Sequence, residues 1–385
     1  MSNSKRASSV ARPLSKSEEI AMYFGFVPIE NPSICRKDNQ IAKQLKERPA
    51  RDERICFCNP AEKAALLRTY EESDLNQWPH PVQVYYKKEA DSRIGSLVGL
   101  DIFGANTSAS NALLIRSAVS MLEEKGLDDL FVEVNSIGDK NSFTEFERQV
   151  VTFIRKNAND IPASIHRLLR HNPFHILNAE DPKIKDFAEN APKAINFLSE
   201  NSRVYLKEVI EYLEGFGMPY IIKHSLTANP TVCSGVIFQI KSEKNEDGDV
   251  LAMGFSYGKF SRRVGLRREL PAIGVTIHLG EDKKIKSPMP KIKFSLIQLG
   301  FEAKLKTLNI VEALRRARVP VSFSLMRDKL ASQLSSAEDS NVPYVIIIGQ
   351  KEALEDTVVI RDMDTRVQEI VPASELSNYI RRIRG

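Results

Sequence analysis

Two clusters of cations are the residues of this chain best placed to do chemistry. The run Lys259-Phe260-Ser261-Arg262-Arg263-Val264-Gly265-Leu266-Arg267-Arg268 holds five positive charges, on Lys259, Arg262, Arg263, Arg267 and Arg268. A guanidinium presents a planar fork of N–H donors that matches two oxygens of a phosphate, so the run reads as an anion-binding loop or, equally simply, as a solvated one. The second cluster is Lys304, Lys306, Arg315, Arg316, Arg318, Arg327 and Lys329, set against only Glu312 and Asp328 over 26 residues. It reads as a face for the backbone of a nucleic acid, or as an ordinary solvated helix face. Few aromatic residues accompany either cluster, which argues against stacking on unpaired bases.

Metal and nucleophile chemistry find no support. The six histidines fall at no metal-ligand or triad spacing. The four cysteines, Cys35, Cys56, Cys58 and Cys233, are too few and too scattered for a disulfide framework, which points to a reducing, cytoplasmic setting. Cys56 and Cys58 lack a second pair and read as neighbouring positions of a strand.

The elements that would position these groups can be read from periodicity and breakers. The 385 residues, 42% hydrophobic, suffice for two or three domains, and no apolar run approaches the 18 residues of a membrane span. Residues 1–17 carry Lys5, Arg6, Arg12 and Lys16, many serines and no acid. They read as a disordered basic tail, though an organelle-targeting segment has the same composition. That tail accounts for four of the net five positive charges, so the body of the chain is no strong polyanion binder. A helix is expected over 18–30 behind Ser15 or Ser17, strands at Val82–Tyr86 and Ser96–Phe103, a helix over 108–125 ended by Gly126, and a strand at Leu130–Val134. A proline-punctuated helical insertion covers about 143–215, followed by strands at Tyr220–His224, Val232–Lys241 and Leu251–Tyr257. Helices followed by strands in series indicate an α+β core, an antiparallel sheet with flanking helices, over 18–282. A Lys/Pro linker at 283–291 then leads to strand, helix, strand, helix, strand over 292–385, a compact α/β domain.

Several strings, in order, resemble histidyl-tRNA synthetase, a class II aminoacyl-tRNA synthetase. Tyr23-Phe24-Gly25-Phe26-Val27-Pro28-Ile29-Glu30-Asn31-Pro32 is similar to its first motif, which builds a dimer interface; Gly99-Leu100-Asp101-Ile102-Phe103-Gly104 resembles the strand after its second motif. Glu133-Val134-Asn135-Ser136-Ile137-Gly138 and, in the insertion, Asn172-Pro173-Phe174-His175-Ile176-Leu177-Asn178 with Ala191-Pro192 also match. The last hundred residues, including Val345-Ile346-Ile347-Ile348-Gly349, resemble the anticodon-binding domain.

The resemblance implies a site that this chain does not spell. A Phe-Arg-x-Glu setting for the first catalytic arginine is replaced by Lys87-Lys88-Glu89-Ala90-Asp91-Ser92-Arg93, and the second arginine's place falls at about Asp282. The histidine-recognition string Arg-Gly-Leu-Asp-Tyr-Tyr is replaced by Ala228-Asn229-Pro230-Thr231-Val232-Cys233, and Arg-Pro-Glu by Asn59-Pro60-Ala61. An acid expected near 110–112 reads Ser110-Asn111-Ala112, and Gly-Gly-Arg-Tyr-Asp reads Met253-Gly254-Phe255-Ser256-Tyr257. Activation of an amino acid needs fixed cations against the triphosphate. The expectation is therefore a catalytically inactive body with no catalytic residue, cofactor or metal, a homodimer that binds tRNA or another RNA or DNA through its C-terminal domain. The alternatives are a protein-binding regulator, like the regulatory subunit of ATP phosphoribosyltransferase, and a diverged but active histidine ligase.

Overall fold

The computed structural model describes residues 14–45, 59–89, 95–162, 165–166, 169, 172–178, 182–244, 249–285 and 289–384. Helix α1 (Lys16–Tyr23) starts at Ser15, whose backbone N–H donates to Glu18 at 2.8 Å, the reciprocal half of a capping box. It is shorter than the expected 18–30, because Gly25 takes φ +86° and turns the chain into β1 (Val27–Pro28). The expected tail is also shorter. Leu14 accepts from the Ile285 N–H at 2.7 Å and Lys16 donates to the Lys283 carbonyl at 2.8 Å, so the start of the body is stitched to the start of the expected linker.

After α2 (Arg36–Gln44), helix α3 (Pro60–Glu72) places proline at its first position, where the missing N–H costs nothing, and Asn59 caps it by accepting from the Ala61 N–H at 3.0 Å. Then follow β2 (Val82–Glu89), β3 (Ser96–Phe103), α4 (Ser108–Glu123) and β4 (Leu130–Ser136). Helices α5 (Lys140–Lys156) and α6 (Pro182–Asn190) enclose a small separate core of Phe146, Val150, Phe174 and Ile176. The insertion is therefore narrower than 143–215: α7 (Glu200–Gly215) returns to the main core, where Leu206, Val209 and Leu213 are buried with α4. The body closes with β5 (Tyr220–Ile222), β6 (Ser234–Ser242), β7 (Ala252–Ser256), α8 (Ser261–Val264) and β8 (Ala272–Gly280).

The sheet order is β1-β2-β3-β8-β7-β6-β4-β5, antiparallel throughout except where the edge strands β1 and β5 run parallel to β2 and β4. The C-terminal unit contains β9 (Phe294–Gln298), α9 (Phe301–Arg316), β10 (Val321–Phe323), α10 (Leu330–Asp339), β11 (Tyr344–Ile348), α11 (Gln350–Glu355), β12 (Thr357–Asp362), β13 (Gln368–Pro372) and α12 (Leu376–Arg384). Its sheet, β10-β9-β11-β12-β13, is parallel at the first three strands and antiparallel at the last three.

Alternation sorts β3 onto two faces. Val98, Leu100 and Ile102 join a core with Ala112, Ile115 and Val119 of α4 that continues through Leu308, Val311 and Leu314 of α9, so the C-terminal unit shares apolar packing with the body. The opposite face carries its own core. No helix among the described residues is long and apolar enough to cross a membrane.

Candidate functional site

The opposite face of the large sheet is where the segments implicated by the resemblance converge. Strand register sets Val84 beside Asp101, Asp101 beside Gly274, Gly274 beside Phe255 and Phe255 beside Ile237, all pointing the same way. Helix α3 lies over them, with Ala64, Leu66, Leu67 and Tyr70 in the same core as Val232, Cys233, Tyr257, Phe260 and Val264. The segment 228–233 that would read a histidine therefore ends in buried apolar packing.

A buried ion pair sits at the centre. Lys63 of α3, 2% exposed, donates to Asp101 Oδ1 at 3.0 Å, and the Tyr257 hydroxyl donates to the same oxygen at 2.7 Å. The ammonium also lies 4.7 Å from the Tyr257 ring centre and 5.7 Å from that of Phe255, within cation–π range. Asp101 Oδ2 is buried without a hydrogen-bond partner. Burial pushes the Asp101 carboxyl up, and Lys63 and Tyr257 only partly offset it. Beside it the Tyr86 hydroxyl donates to Glu62 at 2.9 Å, and Lys88 reaches the other oxygen of Glu62 at 3.4 Å. Burial, then the Asp101 charge, raises both Tyr86 and Tyr257 far above the ordinary phenol value, so each remains a neutral donor. Two glycines make the packing possible: a Cβ on Gly99 would overlap the Tyr86 ring, and one on Gly274 would overlap the Asp101 carboxylate. This part of the sheet face is filled by the protein's own side chains.

Asp282, at the place implied for the second arginine, does not point into a binding space. It accepts from the Ser17 hydroxyl at 2.6 Å and from Lys87 at 2.9 Å. Burial would raise its carboxyl, but hydrogen bonds from Ser17, Ser15 and Lys87 outweigh that and hold it low. It fastens α1 to the end of β8 and β2.

The C-terminal cluster is divided by the fold. Arg315 is 7% exposed and donates to both oxygens of Glu312, at 2.7 and 2.8 Å, and to Glu124 of α4 at 3.3 Å. Arg316 binds Glu312 at 2.7 Å and Glu123 at 3.0 Å, and Arg318 reaches Glu19 of α1 at 3.4 Å. These three arginines, expected on a nucleic-acid face, join the C-terminal unit to the body instead; a helix with apolar Leu308, Val311 and Leu314 on its buried side brings its last turn against the acids of α4. Lys304 pairs with Asp328, Lys306 pairs with Asp356 at 2.7 Å, Arg327 donates to the Ser336 hydroxyl, and Lys329 is exposed. The Glu312 carboxyl, despite burial, is brought down to about 2 by Arg315, Arg116 and Arg316.

The 259–268 run divides as well. Lys259 lines a cavity of about 410 Å³ with Gly104, Asn106, Ser234, Gly258, Glu269 and Met326, next in sequence to Phe103 and Tyr257 of the filled face. Arg262, Arg263, Arg267 and Arg268 are exposed on α8 and the turn after it. Cys56 and Cys58 lie outside the described residues, as does Arg93, and no three His, Cys, Asp or Glu among the described residues could hold a metal. Sequence reasoning missed the pair at the centre: Lys63 among Ala61, Ala64, Ala65, Leu66 and Leu67, and Asp101 inside the apolar Leu97–Phe103, are charges where pattern demands none, and that was the available signal.

Comparison with known proteins agrees with this architecture. A family model described as "Anticodon binding domain" matches residues 293–383. The histidine–tRNA ligase of Staphylococcus saprophyticus is 24% identical over 361 residues, covering 89% of this chain and 86% of that protein. That of Halothermothrix orenii is 26% identical over 293 residues, 74% of this chain and 70% of that protein. The crystal structure of apo S. aureus histidyl-tRNA synthetase superposes with a TM-score of 0.51 at 17% identity, over 94% of this chain and 92% of the other. The chain is thus similar to histidyl-tRNA synthetases over most of its length, shares their class II synthetase fold, and matches an anticodon-binding domain over residues 293–383.

Proposed function

We propose that this histidyl-tRNA synthetase-like chain does not activate histidine and acts by holding RNA. The observation that carries the reading is the Lys63–Asp101–Tyr257 cluster with Tyr86 and Phe255, which fills the sheet face beside segments that the resemblance assigns to substrate binding. Each charged contact missing from such a site removes a few kcal/mol of transition-state stabilisation, and the losses compound. RNA is the partner suggested by the domain matched over 293–383, whose exposed cations include Lys306 and Lys329. Arg315 is not among them, because it is buried against Glu312.

The reading includes a homodimer formed through residues 23–32. In support, Tyr23, Phe24 and Phe26 are buried, while β1 stands at the rim of the sheet with one ladder edge open among the described residues. Histidine-dependent pyrophosphate exchange is the primary test, and exchange well above a no-histidine blank would overturn the claim of inactivity. Light scattering reads the dimer; a monomer at micromolar concentration removes that part alone. Gel shift with bulk tRNA tests RNA binding, with Lys306→Ala plus Lys329→Ala expected to weaken it several-fold.

A further inference from the structure

Four arginines stand exposed close together on α8 and its turn, whereas several arginines elsewhere are held by acids. Arg68 binds Asp38 and Glu72; Arg116, Arg315 and Arg316 share Glu312; Arg318 has Glu19; exposed Arg148 and Arg203 have Glu145 and Glu200. Arg262, Arg263, Arg267 and Arg268 make no ion pair among the described residues. Their neighbour Glu269 lines the cavity with Lys259.

The turn that carries them is held rigidly. Gly265 takes φ +108° after α8, a conformation open to glycine, and the chain doubles back so that the Arg262 guanidinium donates to the Arg267 carbonyl. Phe260, Val264 and Leu266 are buried in the core under it, and the Ser261 hydroxyl donates to the Gly258 carbonyl at 2.6 Å and accepts from the Leu270 N–H at 3.0 Å. Residues 262–263 and 267–268 are thereby presented together from an anchored surface, which reduces the ordering cost of binding. Helix α2 packs against α8 and adds exposed Arg36, Lys37 and Lys43, while its acid, Asp38, is turned inward to Arg68.

We propose that this α2–α8 surface binds the phosphate backbone of RNA, as a second contact on the body of the protein separate from the C-terminal domain. The proposal rests on the RNA-holding reading above and says where on the body the strand lies. Guanidinium forks suit phosphate oxygens, and the apolar residues of the turn are all buried, so it has nothing to insert into a lipid layer. No aromatic residue of the turn is exposed, since Phe260 is 0% exposed, so recognition is of backbone rather than of base sequence.

The test is fluorescence anisotropy of the full chain with a labelled RNA duplex over a salt series. The four arginines, neutralising about four phosphates, contribute roughly −3.6 to the slope of log K against log salt, on the order of a hundredfold between about 50 and 200 mM. Arg262→Ala with Arg263→Ala is expected to make the slope shallower by about two, as is Arg267→Ala with Arg268→Ala. Arg148→Ala, an exposed arginine elsewhere, is the control and should change nothing; an unaltered circular dichroism melt shows that the variants fold. A quadruple variant that binds the duplex like the parent overturns this proposal and leaves the RNA reading standing. A parent chain that binds no RNA overturns both. Arginine-dependent binding to anionic vesicles or polyglutamate, without binding to the duplex, replaces RNA by that other partner.

Discussion

Asp101 and Glu312 are both almost wholly removed from water, at 0% and 4% exposure, yet the protein drives their acidities in opposite directions. Asp101 has one cation and one hydroxyl, both on a single oxygen, and its other oxygen has no partner; burial dominates and its carboxyl rises. Glu312 is also buried, though less deeply, but accepts from Arg315 on both oxygens, from Arg316 and from Ser120, with Arg116 at 3.5 Å, and its carboxyl falls to about 2. Charge-assisted hydrogen bonds outweigh burial at Glu312 and fall short of it at Asp101. The two places differ accordingly: one is packing within a sheet face, the other a junction between the C-terminal unit and the body.

The largest effect that would test this contrast is at Lys63. Replacing Lys63→Met strands a buried carboxylate and should cost about 3–5 kcal/mol in urea denaturation, most of it recovered by adding Asp101→Asn. A neutral single substitution would mean that the packing does not depend on the pair. Glu312→Gln comes next. A carboxyl held at about 2 against an ordinary 4.5 corresponds to roughly 3 kcal/mol at neutral pH. Because the folded state lowers this group, its contribution is present above pH ~4.5 and is lost as pH falls toward about 2, so variant and parent should converge in acid.

Asp101 should give a pH curve of the opposite sign. Its raised carboxyl favours the folded state below the ordinary 3.8 and loses that contribution as pH rises through the raised value. In the Lys63→Met background, the advantage from adding Asp101→Asn should therefore be small near pH 4 and grow with pH; a flat difference would refute the assignment. The smallest effects belong to Arg316→Ala and Arg318→Ala, whose side chains are 61% and 53% exposed. Each should cost less than about 1 kcal/mol, and less again at high salt.

Much of the fold was legible because strands and helices carry their own periodicity. Ser96–Phe103 and Tyr344–Ile348 fall where alternation and breakers place them, and α4 starts at Ser108 as its spacing demands. Errors came where distant segments intervene. The tail was expected to run to residue 17, but residues 14–17 belong to the body, with Ile285 and Lys283 as backbone partners. Helix α7 was assigned to the insertion, but its apolar side belongs with α4. Of the basic cluster expected on a nucleic-acid face, Arg315 is buried against the nearby Glu312, and further partners of Arg315 and Arg316, Glu124 and Glu123, lie nearly two hundred residues earlier.

What the sequence determined by itself was the kind of element at each place and which residue types stand there. Those are local properties, set by residue type and spacing. Tertiary structure alone decided which charges face each other. It brought Lys63 onto Asp101, Asp282 onto Ser17 and Lys87, and Arg315, Arg316 and Arg318 onto Glu312, Glu123, Glu124 and Glu19, while leaving the arginines of α8 and its turn to solvent. An ion pair depends on a few ångströms of separation and on how much water is excluded, and a linear order of residues specifies neither.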